Sequence, residues 1–312
     1  MSDPALILRR GGIEVEQLTT PDEMLVIQEM QREIWGYGEP GADPPYPARA
    51  LFSLVESGGL VSVARWRGEA AGFGVAWLGV HAPEREIYLH SQLVGVRARF
   101  RRRGIALAVK EHQAEFARSQ GIRWIRWTFD PLRAQNARLN LHRLGAVACT
   151  YRENYYGAIS SRFQAGDPSD RLIAEWDVTS GRVAARLRGR LPDPPRGLPA
   201  AVQCIRDRDG RVVTLDWSPD LTDDSIRLEI PAQIDALRLS DPRAAALWRR
   251  QVRGCFQHYF ARGYAATDFF SVPEGKTIST WYLLRRAELQ DVFAEAAPSE
   301  ADAGSADASE PS

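Results

Sequence analysis

The stretch Val96-Arg97-Ala98-Arg99-Phe100-Arg101-Arg102-Arg103-Gly104-Ile105-Ala106 decides how this chain is read. Before it, Glu86–Val96 is an apolar-rich run that reads as a strand. After it, Ile105–Ser119 reads as a helix that stops at Gly121, a residue suited to the left-handed end of a helix. Five arginines and one glycine therefore fill the turn between a strand and a helix. The first N–H groups of a helix have no carbonyl a turn earlier to bond, and the helix dipole is positive at that end. Such a turn is a ready site for an anion. Gly104 lets backbone approach a bulky anion, and arginine adds fork-shaped, charge-assisted bonds to phosphate oxygens. A pyrophosphate is the natural ligand. A solvated basic turn and a nucleic-acid patch are the other readings of the same residues.

Working outward, Ile13–Leu18 reads as a strand. A helix starts at Pro21 with Met24, Ile27, Met30 and Ile34 on one stripe. Gly36 to Pro47 is loop, and a second helix covers Ala48–Ser57. Strands Leu60–Trp66 and Ala71–Val80 form a hairpin about Arg67-Gly68-Glu69. Beyond the basic turn and its helix come strand Ile122–Phe129, a short helix Ala134–Leu144 ending at Gly145, strand Ala146–Tyr156 and strand Ala174–Val183. Residues 184–199 are dense in Arg, Pro and Gly and read as a linker. The rest reads as strands Ala201–Arg206, Arg211–Trp217 and Ser225–Ile230, with a turn over Asp207–Gly210. A long helix Pro242–Ala261 and strands Ala265–Val272 and Ser279–Arg285 follow. Ala296–Ser312 is small, polar and acidic, and is expected to be disordered because it cannot bury enough apolar area to offset ordering.

The expected division is 1–183, a linker 184–199, a smaller α+β half 200–295, and the tail 296–312. Forty basic and forty acidic residues cancel, which disfavours general electrostatic attachment to DNA or RNA. The N-terminus lacks a secretory pattern and no apolar run is long enough to span a bilayer. Cys149, Cys204 and Cys255 lack paired spacing for zinc or a redox couple. The expectation is a reduced, soluble, cytoplasmic protein without a metal, a membrane or a nucleic-acid partner, and with a homodimer left open.

Arg101-Arg102-Arg103-Gly104-Ile105-Ala106, set between strand and helix, resembles the acyl-coenzyme A loop of the GNAT N-acetyltransferase superfamily, Gln/Arg-x-x-Gly-x-Gly/Ala. The order β-α-α-β-β-β-α-β-α-β over residues 12–157 is similar to that family's, and Asn136 through Gly145 resembles its second cofactor segment. Trp124-Ile125-Arg126-Trp127-Thr128-Phe129-Asp130-Pro131-Leu132 and Asn154-Tyr155-Tyr156-Gly157 resemble a bacterial branch of predicted acetyltransferases within it. The resemblance implies an α/β fold with a mixed sheet, GNAT-like in the first half. The Phe-Ala-Arg helix ends at Phe116 and Phe260, each followed by an aromatic strand, suggest that the second half is either a degenerate second unit or an unrelated α+β extension.

The resemblance also implies an activity, transfer of an acetyl, succinyl or other acyl group from acyl-coenzyme A to the amine of a small molecule or amino acid. Residues Arg101, Arg102, Arg103, Gly104, Ile105 and Ala106 would hold the pyrophosphate, and Arg97 or Arg99 another phosphate. Val94, Gly95 and Val96 would lie along the pantetheine arm, with a backbone N–H of Val94 or a neighbour on the thioester oxygen. Asn136 and Asn140 would bind the coenzyme end.

Alternation puts Glu86, Tyr88, His90, Gln92 and Val94 on one strand face. His90 has the right ordinary pKa for a base, or is a hydrogen-bonded histidine under a loop. Asp130 is a second candidate base or amine-binding carboxylate, or a turn residue before Pro131. The family's usual tyrosine acid falls on Leu141, so Tyr155 or Tyr156 is the alternative phenol, Tyr156 being the candidate carried forward. That departure, with the large second half, makes a non-catalytic acyl-coenzyme A sensor the rival reading.

Overall fold

The computed structural model describes residues 6–38, 44–81, 85–157, 168–206, 212–275 and 277–294. In chain order the elements are β1 (Ile7–Arg10), β2 (Ile13–Gln17), α1 (Met24–Trp35), α2 (Ala48–Glu56), β3 (Leu60–Trp66), β4 (Glu69–His81), β5 (Glu86–Val96), α3 (Ile105–Ser119), β6 (Trp124–Phe129) and α4 (Ala134–Ala137). They continue with β7 (Val147–Arg152), β8 (Arg171–Asp177), α5 (Gly181–Leu187), β9 (Val202–Arg206), β10 (Val212–Trp217), β11 (Ser225–Ile230), α6 (Ile234–Ser240), α7 (Pro242–Ala261), β12 (Tyr264–Glu274), β13 (Thr277–Arg286) and α8 (Leu289–Ala294).

The chain forms two compact units, 1–131 with 150–178, and 132–149 with 179–312. The expected strand Ala174–Val183 is instead β8, which ends at Asp177, followed by α5, so the segment expected as a linker begins inside a helix, and β1, α5, α6 and α8 join the elements read from sequence. The expected tail 296–312 and the expected turn Asp207–Gly210 lie outside the described residues.

In the first unit the strands lie in the order β1-β2-β3-β4-β5-β6-β8. All neighbours are antiparallel except β5 and β6, which are parallel. A parallel pair needs a crossover, and α3 supplies it. One face of the sheet packs Phe73, Val75 and Leu93 against Met24, Ile27 and Met30 of α1 and Leu51 of α2. The other packs Ala71, Val94 and Val96 against Ile105, Ala108 and Val109 of α3.

Gly72 and Gly74 explain how closely α3 approaches. They share one face of β4, and a methyl on each would stand 2.6 Å from Ile105 Cγ2 and 2.6 Å from Val109 Cγ1. Residues 105 and 109 are one helical turn apart, so the two missing side chains form a seat for two successive turns of α3. The Gly-x-Gly pair is thus a packing device that brings the helix start down onto the sheet.

In the second unit β12 and β13 form a long hairpin, β11 pairs with β13, and β12 meets β7 at Ala266↔Ala148. Helix α7 begins with Asp241, whose side chain accepts from Ala244 N–H at 2.9 Å, and Pro242. Its buried stripe is Trp248, Val252, Cys255, Phe256 and Tyr259. Burial pushes the Cys255 thiol up, as expected for a small hydrophobe rather than a nucleophile. Asp268, buried beside a bulge in β12, accepts from His142 Nδ1 at 2.9 Å and from Arg186 at 2.5 Å. Burial raises its carboxyl pKa, but His142 and Arg186 outweigh burial and hold it below the ordinary carboxylate range. The half lacks the strand adjacency of a second copy. There β13 lies between β11 and β12, whereas β5 and β6, the strands flanking α3, are direct neighbours.

The α3 seat gives a direct prediction. Gly74→Ala places a methyl against Val109 and is expected to lower urea or thermal stability by about 1–3 kcal/mol, the usual cost of overpacking.

Candidate active site

The ladder between β5 and β6 has only three rungs, Tyr88↔Trp124, Leu89↔Ile125 and His90↔Arg126. Both strands continue, β5 to Val96 and β6 to Phe129, without pairing to each other. The cause lies on the other side of β5. Against β4, Val75 pairs with Leu93 but Ala76 pairs with Ser91, so Gln92 is an extra residue. A bulge of this kind bends a strand and increases its local twist. It also switches the alternation. Ser91 before it and Val94 after it both face α3, while His90, Gln92 and Leu93 face the α1–α2 side. The expected row of Glu86 through Val94 on one face therefore ends at Gln92, and the Val94 side chain is on the opposite face.

The same register orients the backbone. Arg97 N–H donates to Ala71 C=O at 2.9 Å. Bonded and non-bonded pairs alternate along an antiparallel ladder. Gly95 and Leu93 are thus in bonded pairs with β4, and the N–H groups of Val94 and Val96 point to the edge that β6 has left. Gly95 has a separate role from that expected. Its absent side chain makes room for Ile34 and for the Phe73 ring, which a methyl at Gly95 would meet at 2.6 Å.

The end of the opening meets the basic turn. Arg102 and Gly104 both have positive φ, +64° and +82°, and at Gly104 this conformation favours glycine. The first backbone bond into α3 is Ala108 N–H to Gly104 C=O at 3.0 Å. The N–H groups of Ile105, Ala106 and Leu107 therefore have no helical carbonyl to reach. Arg101, Arg102 and Arg103 are exposed. Arg101 and Arg102 make no ion pair or ring contact among the described residues, and Arg103 lies over the Trp66 ring at 5.4 Å. This fits a pyrophosphate, with uncommitted guanidinium groups beside uncommitted N–H groups. Arg97 and Arg99 do not fit the phosphate role expected of them. Arg97 is buried and donates to Glu33 and to Ala70 C=O, both at 2.7 Å. Arg99 pairs with Glu69.

Polar side chains collect on the α1–α2 face of the splayed strands. His90 stacks on Trp77, ring centres 5.7 Å apart, and its Nε2–H donates to Gln92 Oε1 at 3.0 Å. Gln92 in turn donates to Tyr46 Oη at 3.4 Å. Burial lowers the His90 pKa, the Gln92 bond opposes this, and the nearby Lys110 charge lowers it further. The net effect keeps the imidazole neutral at pH 7. On β6, Arg126 lies over the Tyr88 ring at 4.9 Å and pairs with Glu175 at 2.5 Å. Two residues on, and so on the same face, Thr128 shares a 2.9 Å hydrogen bond with Tyr156 Oη. His90 and Tyr156 are thus brought to one face, from opposite sides of the opening. Asp130 is buried at the end of β6. Asn136 and Asn140 stand in the other unit, Asn136 exposed and Asn140 buried, and Leu141 is fully buried there.

Among the described residues no group of three or more His, Cys, Asp or Glu is arranged to hold a metal ion, and no helix is long and apolar enough to cross a membrane.

Residues 25–146 match the family described as Acetyltransferase (GNAT) family. No curated protein matches the chain. Among solved structures, the ribosomal-protein-S18-alanine N-acetyltransferase from Escherichia coli is 16% identical, with a TM-score of 0.42 over 53% of this chain and 94% of its own. Arabidopsis thaliana Naa50, solved in complex with a bisubstrate analogue, is 12% identical, with a TM-score of 0.40 over 53% and 98%. The ribosomal-protein-S5-alanine acetyltransferase from Vibrio fischeri is 11% identical, with a TM-score of 0.43 over 55% and 96%.

The reassignment of Arg97 is testable. Arg97→Met leaves the Ala70 carbonyl without its donor and is expected to lower stability by about 1–3 kcal/mol. Calorimetry should find its affinity for coenzyme A unchanged; a large loss of affinity would return Arg97 to the phosphate site.

Proposed function

We propose that this protein is an acyl-coenzyme A-dependent N-acyltransferase that moves an acetyl, succinyl or related acyl group directly to the amine of a small molecule or amino acid. The observation that carries this reading is the opening between two parallel strands that leads to an arginine-glycine helix start. A linear thioester with a pyrophosphate at its far end needs both features, in that order.

Each demand of the chemistry has a candidate. Arg101, Arg102 and Arg103, with the N–H groups of Gly104, Ile105 and Ala106, hold the pyrophosphate. The N–H groups of Val94 and Val96 point into the opening and bind the arm or polarise the thioester carbonyl, stabilising the charge that develops on its oxygen. Neutral His90 takes the proton of the attacking amine. Tyr156 and Thr128 present hydroxyls on the same face and orient the acceptor, with Asp130 beyond them at the end of β6 as an amine-binding carboxylate. The assignment of Asn136 and Asn140 to the coenzyme end rests on the resemblance of their segment.

The test is thiol release from acetyl- and succinyl-coenzyme A across a panel of small amines and amino acids. One acceptor class is expected to give saturable release. His90→Gln should lower turnover by about 10²–10⁴-fold while coenzyme A affinity stays constant. Because the His90 pKa is lowered, the acid limb of wild-type turnover should fall below pH of about 6.5, the ordinary histidine value, and should vanish in His90→Gln. Tight coenzyme A binding with no release for any amine would instead support the sensor reading.

A further inference from the structure

Lys110 is the feature that this scheme leaves unused. Of the 40 basic residues only two, Lys110 and Lys276, are lysines. Lys110 lies in the middle of α3 and is 3% exposed. Its Nζ donates to Ser91 Oγ at 2.8 Å and lies 3.5 Å from the centre of the Trp127 ring. These two contacts locate it sharply. The last rung between β5 and β6 is His90↔Arg126. Ser91 and Trp127 are the next residue on each strand, so the amine touches both strands where they begin to part. It closes the opening from the α3 side.

We propose that Lys110, in place of the Tyr156 phenol expected from the sequence, is the proton donor to the leaving thiolate, a role for which the family-like position holds Leu141; Tyr156 Oη is instead bonded to Thr128. This inference rests on the acyltransferase reading above. As the acceptor nitrogen bonds to the acyl carbon, the C–S bond breaks and sulfur leaves with the bonding pair. The sulfur takes one proton from the Lys110 ammonium, giving the free thiol and a neutral amine. The acceptor gives its own proton to His90. Exchange with solvent then removes the proton from His90 and restores one to Lys110, so the cycle closes without another reactant.

The chemistry of the position supports the choice of residue. An arginine cannot release a proton at any ordinary pH, whereas a buried lysine can cycle. Burial lowers the Lys110 pKa well below the ordinary lysine value, which eases release of its proton. Among the described residues no opposite charge is set against it to restore that value. On its own helix Glu111 pairs with Arg10, and His112 donates to Leu6 C=O. From β5 the titratable neighbour is His90, which itself responds to the lysine charge. From β6 the facing group is the neutral Trp127 indole, and among the described residues β3 and β4 bring no charge onto it. Ser91 takes one N–H and the Trp127 face covers another side, and the remaining donor position of an ammonium has no partner among the described residues.

Two lysines make the test simple. Protein labelled with 15N-lysine has two side-chain nitrogen signals, and Lys276→Arg identifies which belongs to Lys110. The Lys110 signal is expected to titrate well below an ordinary lysine and to shift when coenzyme A saturates the protein. With an accepted amine, Lys110→Met should lose about 10²-fold or more in turnover with coenzyme A affinity intact, and Lys110→Arg should not restore it. Calorimetry on the same sample separates the two claims. If coenzyme A binds but the Lys110 signal does not respond, or if Lys110→Met keeps full turnover, the proton-donor role is overturned and the acyltransferase reading stands. If coenzyme A does not bind at all, that reading fails and takes this inference with it.

Discussion

The structure of the first unit depends on a ladder that stops after three rungs. Parallel strands normally pair along their shared length, because each unpaired N–H and C=O inside a protein is costly. Here β5 and β6 separate after His90↔Arg126, and the residues around that point keep them separate. The extra Gln92 bends β5. Gly72 and Gly74 seat α3 close beneath the sheet. Lys110 and Trp127 occupy the vertex from below. The result is a groove whose walls carry backbone groups turned away from β4, and whose far end is a helix start with free N–H groups and free arginines.

Local sequence signals transmit much of this. Strand β5 and helix α3 begin and end where the residues predict, because Gly104 and Gly121 leave little choice and the basic turn between them cannot be part of either element. The hairpin β3–β4 and helix α7 are equally legible, the latter from Asp241-Pro242 and its apolar stripe. The bulge at Gln92 is not. One inserted residue leaves a strand pattern of the same composition on both sides, so alternation misassigns the Val94 side chain. The fates of Arg97 and Arg99 are not legible either. Their partners Glu33 and Glu69 are 64 and 30 residues away in sequence, and only the sheet brings them together. Gly72-x-Gly74 is visible as a pattern, but its meaning depends on which helix lies against it.

The second unit shows the limit of similarity between halves. The Phe-Ala-Arg helix ends at Phe116 and Phe260 look alike, yet the strands flanking the long helix are adjacent in one half and separated by β13 in the other. A groove of the first kind needs direct parallel neighbours that part. The second unit instead has a buried Asp268–Arg186 ion pair to which His142 adds a hydrogen bond, and removing either Asp268 or Arg186 would leave an uncompensated charge. Its chemistry is that of a scaffold, although Asn136 and Asn140 lie within it.

The central claim is that the opening and the arginine-glycine turn together hold an acyl-coenzyme A. Calorimetric titration with coenzyme A and acetyl-coenzyme A, run on the wild type and on Arg101→Glu/Arg103→Glu, tests it most directly. The account predicts saturable binding to the wild type that the double variant loses, with both proteins equally folded. No binding to the wild type at millimolar ligand, or equal binding to the variant, would contradict it.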